Sequence, residues 1–206
     1  MRECYDVPRP RPADRPWLGL CMVSSLDGST VVDARSAALS NPVDAEVLHT
    51  LRDIADMIIV GASTVRVEGY GPPRKAGQRV GVVSRRGDLA TDTPLFTSGA
   101  GFLILPEDAA EVPVPSVRGG RGTIDFAAVL GQLDVDYVQA EGGATLNAAL
   151  VGQDVLDELD LTISPQLAGG DGPRLTVGAA PVLRAMRLAH LAEDQGFLFS
   201  RYVRDR

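Results

Sequence analysis

The chain is short of the residues that build metal and disulfide chemistry. Its 206 residues include two cysteines, Cys4 and Cys21, and two histidines, His49 and His190. Without C-x-x-C or mixed Cys/His spacing they form neither a disulfide framework nor a zinc site, which points to a reducing, cytoplasmic setting and no metal. No apolar run reaches the ~20 residues of a membrane span, and residues 1–16, rich in Arg and Pro, lack the apolar core of a secretory signal. No membrane partner is expected, and residues 1–16 are predicted as an extended arm ahead of one domain over 17–206. Positive charge is also in deficit: 20 Lys and Arg against 27 Asp and Glu leave a net charge of −7. That excludes the basic stripe of a nucleic-acid surface, and Glu3, Asp6 and Asp14 dilute the basic arm. Phosphate affinity must then be local.

What is present is a substantial core, with 45% apolar residues, enough for one ordinary globular domain. Short apolar runs bounded by turn residues, Trp17–Val23 and Met57–Gly61, read as buried strands. Between them, residues 41–56 place Val43, Val47, Leu48, Leu51 and Ile54 at helical spacing. Asn41 is the expected N-cap and Pro42 the first helical residue. Strands at 79–84, 101–105 and 135–140 and helices at 125–133 and 143–151 continue the alternation. These strands are too apolar to leave one face in water, so helices should cover both faces of a mainly parallel sheet, an α/β fold. After a strand at 159–165, two runs separated by the turn signal Glu193–Gly196 predict a C-terminal antiparallel hairpin.

Ligands of such sheets sit at the carboxyl ends of the strands. The first strand ends in Val23-Ser24-Ser25-Leu26-Asp27-Gly28 and the second in Gly61-Ala62-Ser63-Thr64. The third ends in Ser84-Arg85-Arg86, and a later one in Glu141-Gly142-Gly143-Ala144-Thr145-Leu146. The side-chain-poor Gly142-Gly143-Ala144 run at a strand-to-helix turn lets a ligand approach the backbone, and the following helix aims its free N–H groups there. Asp27-Gly28 also reads as an ordinary turn, Ser84–Gly87 as a solvated loop, and Gly142-Gly143 as a close-packing device. Glu141 follows an apolar strand and needs a partner or a ligand. Glu68 reads equally as a first-turn helix charge.

Four segments, "MVSSLDG", "LRDIADMIIVGASTVRVEGYGP", "EGGATLNAALV" and "VLDELDLTISPQLAGGDGPRL", occur in an order and spacing that resembles the reductase domain of riboflavin biosynthesis. That domain is the C-terminal half of the bifunctional deaminase-reductase and has the dihydrofolate reductase fold. The resemblance implies a three-layer, dihydrofolate reductase-like α/β fold, an NADPH cofactor and a homodimer, here assembled through the C-terminal strands. The reaction implied is that of a 5-amino-6-(5-phosphoribosylamino)uracil reductase, in which hydride delivered to the anomeric carbon turns a ribosylamino group into a ribitylamino group. The cofactor side falls on Val23, Gly61, Ala62, Ser63, Thr64, Ser84, Arg85, Gly142, Gly143, Ala144, Thr145 and Leu146, with Ser84 and Arg85 at the adenosine 2′-phosphate. The substrate side falls on Ser24, Asp27, Arg52, Thr64, Glu68, Arg74 and Glu141, with Glu68 or Asp27 as the assisting carboxylate.

The chain also departs from that pattern. Deamination is excluded, because no H-x-E followed by P-C-x-x-C occurs. Glu68-Gly69-Tyr70-Gly71-Pro72 stands where riboflavin enzymes place an aspartate, a second acid and proline. A tryptophan common before the first long helix is absent from "RSAALSNP". Both changes touch the substrate side. Rival readings are a pterin or dihydrofolate reductase, which would want one buried carboxylate facing a flat apolar slot, and a flavin- or deazaflavin-binding protein of the same fold. Arg52 and Arg74 favour a phosphorylated substrate.

Overall fold

A computed structural model describes residues 2–205. Helix α1 (Arg2–Tyr5) precedes strand β1 (Trp17–Ser24), and a 3-10 turn (Ala37–Leu39) leads into α2 (Pro42–Ile54). There follow β2 (Met57–Gly61), α3 (Ala62–Glu68), β3 (Arg79–Val83), α4 (Pro94–Thr97), β4 (Gly101–Leu105) and β5 (Ser116–Arg118). The chain continues through α5 (Phe126–Leu130), β6 (Tyr137–Ala140), α6 (Ala144–Gly152), β7 (Glu158–Ile163), β8 (Arg187–Asp194) and β9 (Phe197–Val203).

Among the described residues nine strands form one sheet in the order β5-β4-β3-β2-β6-β1-β7-β9-β8. Pairing is parallel from β5 to β7 and antiparallel at β7–β9 and β9–β8. Strands β2 and β4 are buried at every residue because their alternate side chains enter different cores. Ile59, Phe102 and Ile104 meet Phe126, Leu130 and Leu150 of α5 and α6 on one face. On the other face Ile58, Val60, Leu103 and Leu105 meet Leu95 and Phe96 of α4. A third cluster joins Tyr5 of α1 and Val47 and Leu51 of α2 to Cys21, Phe197 and Phe199. The mainly parallel sheet with helices on both faces and a C-terminal hairpin is as expected.

α2 begins as the sequence dictates: Asn41 caps it, its side chain accepting from the Asp44 N–H at 2.8 Å, and Pro42 opens the first turn. Two expectations are corrected. Residues 2–16 are not extended throughout. Residues 2–5 are helical, Tyr5 is buried, and the side chains of Arg9 and Arg15 are buried against carboxylates. Arg9 Nη2 donates to Glu158 at 2.6 Å, and Arg15 makes a two-pronged contact with Asp157 at 2.5 and 2.9 Å. Those carboxylates lie far along the chain, so the segment's composition alone reads as solvated.

The second correction concerns the hairpin. Phe197 and Phe199 do not await a second copy; both are buried beneath α1 and α2. The apolar side chains the hairpin exposes are Leu188, Leu191 and Leu198 on its opposite face. The regular strand starts at Arg187, after an irregular stretch that contains Val182.

Candidate functional site

The double glycine lies where β6 meets α6. Gly142 adopts φ +73 and is joined to Gly143 by a cis peptide bond. Its carbonyl accepts from the Gly61 N–H at 2.6 Å, which stitches the ends of β2 and β6 together. A Cβ on Gly142 would lie 2.8 Å from Met22 Sδ, and one on Gly61 3.3 Å from the Gly142 oxygen, so these two glycines serve close packing. Gly143 is different: a Cβ there would meet only Thr64 Oγ1, at 3.0 Å. Gly143 caps α6 without a side-chain hydrogen bond. The helix start is thus open to solvent on the side that faces a cavity.

That cavity has a volume of about 530 Å³. Of the residues expected at the site, Val23, Ser63, Thr64, Glu68, Glu141, Gly143, Ala144 and Thr145 line it. Arg52 and Arg74 line an adjoining cavity of about 410 Å³, together with His49 and Lys75. The two share Ser36, Leu48, Glu68 and Tyr70 as a common wall. Ser24, Asp27, Gly61, Ala62, Ser84, Arg85, Gly142 and Leu146 line neither. Ala62 and Leu146 are core residues. Ser84 Oγ accepts from the Gly87 N–H at 3.0 Å, closing its own turn, while Arg85 is exposed.

Asp27 is a turn clasp. Its carboxylate accepts from Ser25 Oγ at 2.5 Å and from the N–H groups of Ala168 and Gly169 at 3.0 and 2.7 Å, tying the loop after β1 to the loop after β7. The Ser25 hydroxyl first, then those two N–H groups, hold its carboxyl down at about 2. Of the two carboxylates expected to assist, Asp27 lines neither cavity and Glu68 lines both.

Glu68 is the last residue of α3, not a first-turn charge; Gly69 then reverses the chain at φ +70. The negative end of a helix disfavours a carboxylate, so the position has no local structural reason. Ser36 compensates by donating its N–H and hydroxyl to Glu68 Oε1, both at 3.2 Å.

Glu141 finds its partner 89 residues back in the chain. Arg52 donates Nε and Nη2 to its two oxygens at 2.6 Å each, and Tyr70 Oη donates at 2.6 Å. Burial, then the Glu141 charge, pushes the Tyr70 hydroxyl well above its ordinary value. Burial works to lower Arg52, but hydrogen bonding and charge from Glu141 outweigh it and the guanidinium is raised. Arg52 and Glu141 therefore satisfy each other and frame the wall between the cavities. Tyr70 belongs to the segment already singled out, though its role was not anticipated.

Asp44 was not anticipated. It stands in the first turn of α2, lines the larger cavity, and accepts from Ser40 Oγ at 2.5 Å. Its only sequence signal was its place three residues after the N-cap, which reads as helix-start chemistry. Pro173 and Val177 of the long segment after β7 close the cavity's rim, with the Pro173 carbonyl accepting from Thr30 and the Val177 N–H donating to Ala144. Among the described residues no cluster of three or more His, Cys, Asp or Glu is arranged to hold a metal, and no helix is long and apolar enough to cross a membrane.

Comparison with known proteins accords with this arrangement. A 2,5-diamino-6-ribosylamino-4(3H)-pyrimidinone 5′-phosphate reductase from Methanothermobacter thermautotrophicus is 26% identical over 181 residues, covering 79% of this chain and 84% of its own. A pyrimidine reductase-like protein from Corynebacterium diphtheriae superposes with a TM-score of 0.81 at 22% identity, covering 94% of this chain and 93% of that one. Dihydrofolate reductase from Enterococcus faecalis superposes at 0.54 and 12% identity, over 92% and 97% of the two chains. The fold is thus dihydrofolate reductase-like. The RibD C-terminal domain profile matches residues 16–197, and the chain belongs to that family.

Proposed function

We propose that this chain is an NADPH-dependent reductase of a ribosylaminopyrimidine phosphate, converting the ribosyl group to a ribityl group. The observation that carries the reading is the joint between the two cavities. One contains an open helix start and buried carboxylates, the other Arg52, Arg74 and Lys75, and Glu68 belongs to both. A ligand with a flat ring at one end and a phosphate at the other spans such a joint, with its ribosyl carbon beside Glu68. Arg52 is committed to Glu141 and Lys75 donates to the Ala55 carbonyl at 2.8 Å, which leaves exposed Arg74 as the phosphate hook.

The residues fit a dinucleotide. Gly143 leaves a side-chain-free approach to the start of α6, whose N–H groups and dipole favour a phosphate; Val23, Ser63 and Thr64 flank it. Ser84 and Arg85 end β3 on the same sheet edge, with β2 between it and β6. At ~4.8 Å per strand the step is about 10 Å, and an exposed guanidinium there favours the 2′-phosphate of NADPH. Bound NADPH supplies a hydride. The chain's own residues hold the ring and exclude water, and the Glu68 carboxylate, held through Oε1 by Ser36, relays a proton to the ribose ring oxygen as the ring opens.

A second reading shares the fold: Asp44 beside Cys21, Ala45 and Leu48 is the buried carboxylate in an apolar slot that a pterin reductase requires. Parallel assays of NADPH oxidation with the ribosylaminopyrimidine phosphate and with dihydrofolate separate the two. Turnover of the former is expected, with Glu68→Gln losing roughly 10²-fold or more in kcat while binding NADPH as before. Turnover of dihydrofolate alone would transfer the assignment to pterins, and turnover of neither would remove the reductase reading.

The protein is further taken to be a cytoplasmic homodimer. Leu188, Leu191 and Leu198 form an exposed apolar face on the last two strands, and such a face on an unpaired edge requires cover.

A further inference from the structure

The three carboxylates of the larger cavity are not equivalent. Glu141 is satisfied by Arg52 and Tyr70, and Glu68 is exposed and held by Ser36. Asp44 is 9% exposed, and its one hydrogen-bond donor is the Ser40 hydroxyl on Oδ2. Among the described residues no cation pairs with it, and Oδ1 has no hydrogen-bond partner. Apolar Cys21, Ala45 and Leu48 line the cavity around it. A buried carboxylate with an unused acceptor beside these apolar side chains is completed by a flat ligand that brings N–H donors.

Resting on the proposed reductase reading, we infer that Asp44 reads the 2-amino edge of the substrate's pyrimidinone ring and selects that ring over a uracil. A 2-amino-4-oxopyrimidine presents its ring N3–H and exocyclic amino group side by side, two donors spaced to match the two oxygens of one carboxylate. A uracil replaces the amino group with a carbonyl oxygen, which would face Asp44 as acceptor against acceptor. The 26%-identical archaeal relative is named for the 2-amino ring, while the uracil is the substrate implied by the wider resemblance. Asp44 is therefore a specificity residue, and Glu68 keeps its place beside the ribosyl carbon.

The test has two arms. In the first, fragments that lack ribose and phosphate, 2,5,6-triaminopyrimidin-4-one and 5,6-diaminouracil, are titrated calorimetrically into wild type, Asp44→Asn and Asp44→Ser, with thermal melting confirming that the variants fold. The aminopyrimidinone should bind wild type roughly tenfold or more tighter, and both variants should level or reverse the preference. In the second, kcat/KM for NADPH oxidation is compared for the two full ribosyl phosphates and dihydrofolate. A wild-type preference for the uracil ring, or a preference that survives both substitutions, overturns the inference. Failure of every substrate to oxidise NADPH while the fragment preference holds overturns the reductase reading and leaves Asp44's role standing. Turnover of dihydrofolate alone, sensitive to Asp44, assigns the same donor edge to a pterin.

Discussion

Arg52 and Glu141 face each other in a two-pronged ion pair, 2.6 Å at both contacts, joining the last turn of α2 to the residue that follows β6. Removing the arginine strands a carboxylate that is 4% exposed, with Tyr70 as its remaining donor. Breaking a fully buried pair costs roughly 3–5 kcal/mol, and since Arg52 is partly solvated we expect about 2–3 for Arg52→Met. The double variant Arg52→Met/Glu141→Leu should recover most of that. Urea unfolding decides: a loss below about 0.5 kcal/mol would mean that water takes over the arginine's role.

Asp160 should make the protein less stable as pH rises. Both of its oxygens are buried without a partner. Burial first, then the charge of Glu158 two residues earlier on the same strand face, holds its carboxyl well above the ordinary range, against the pull of Arg9 and Arg201. The folded state therefore keeps a proton that the unfolded chain releases, and stability declines from about pH 4 upward. Glu158 acts in the opposite sense: Arg201 and Arg9 outweigh its burial and lower it, so its contribution is present above the unfolded pKa and is lost in acid. Asp160→Asn should melt no lower than wild type at pH 7 and flatten the decline. A variant that melts several degrees lower at pH 7 would show that the ionised form is the one the fold uses.

The cofactor seat can be tested without substrate. A Cβ at Gly143 would meet Thr64 Oγ1 at 3.0 Å and no other atom within 4 Å, so Gly143→Val should keep the fold while NADPH binding is lost. Arg85→Ala should weaken NADPH by about 2 kcal/mol, near thirtyfold, and leave NADH unchanged. Equal wild-type affinity for the two cofactors would remove Ser84 and Arg85 from the site.

Burial of Phe199 in the chain's own core moves the assembly test to the opposite face of the hairpin. Leu191→Asp should yield a monomer by light scattering with its melting temperature nearly unchanged. Phe199→Asp, a charge placed in the cluster of Tyr5, Val47 and Leu51, should fail to fold. A wild-type monomer at micromolar concentration would remove the dimer altogether.

These outcomes also mark what could be read from residues alone. Met57–Gly61 and Gly101–Leu105 were legible to the residue because a strand buried on both faces is an unbroken apolar run with turn residues at its ends. Helices α1 and α4 and strand β5, of three or four residues each, are too short to show a period. Helix α3 has no sequence reading of its own, because of its seven residues Ala62 alone is buried and no apolar period shows. The carboxyl-edge rule grouped Thr64, Glu141 and Gly143, and all three line the larger cavity. Asp27, grouped with them, lies outside both cavities in a turn, and the rule is silent on Asp44, which lines the cavity from the first turn of α2 and not from a strand end. The partner of Arg52 was hidden for the same reason: pairing across 89 residues leaves no local trace.

The place of β1 in the sheet sets a timetable for the molecule's assembly. Synthesised before every other strand, it lies between β6 and β7, so Trp17 waits for Tyr137 and Gly19 for Glu158. Strands β2, β3 and β4 are neighbours both in sequence and in the sheet and can pair as they emerge. The first strand made must therefore stay unpaired and apolar on the ribosome until most of the chain exists, a condition under which such segments stick to one another or to chaperones. Pulse-labelled hydrogen exchange during refolding should find amides of Ile58–Val60 and Val80–Val82 protected before those of Leu18–Val23, with simultaneous protection counting against the order.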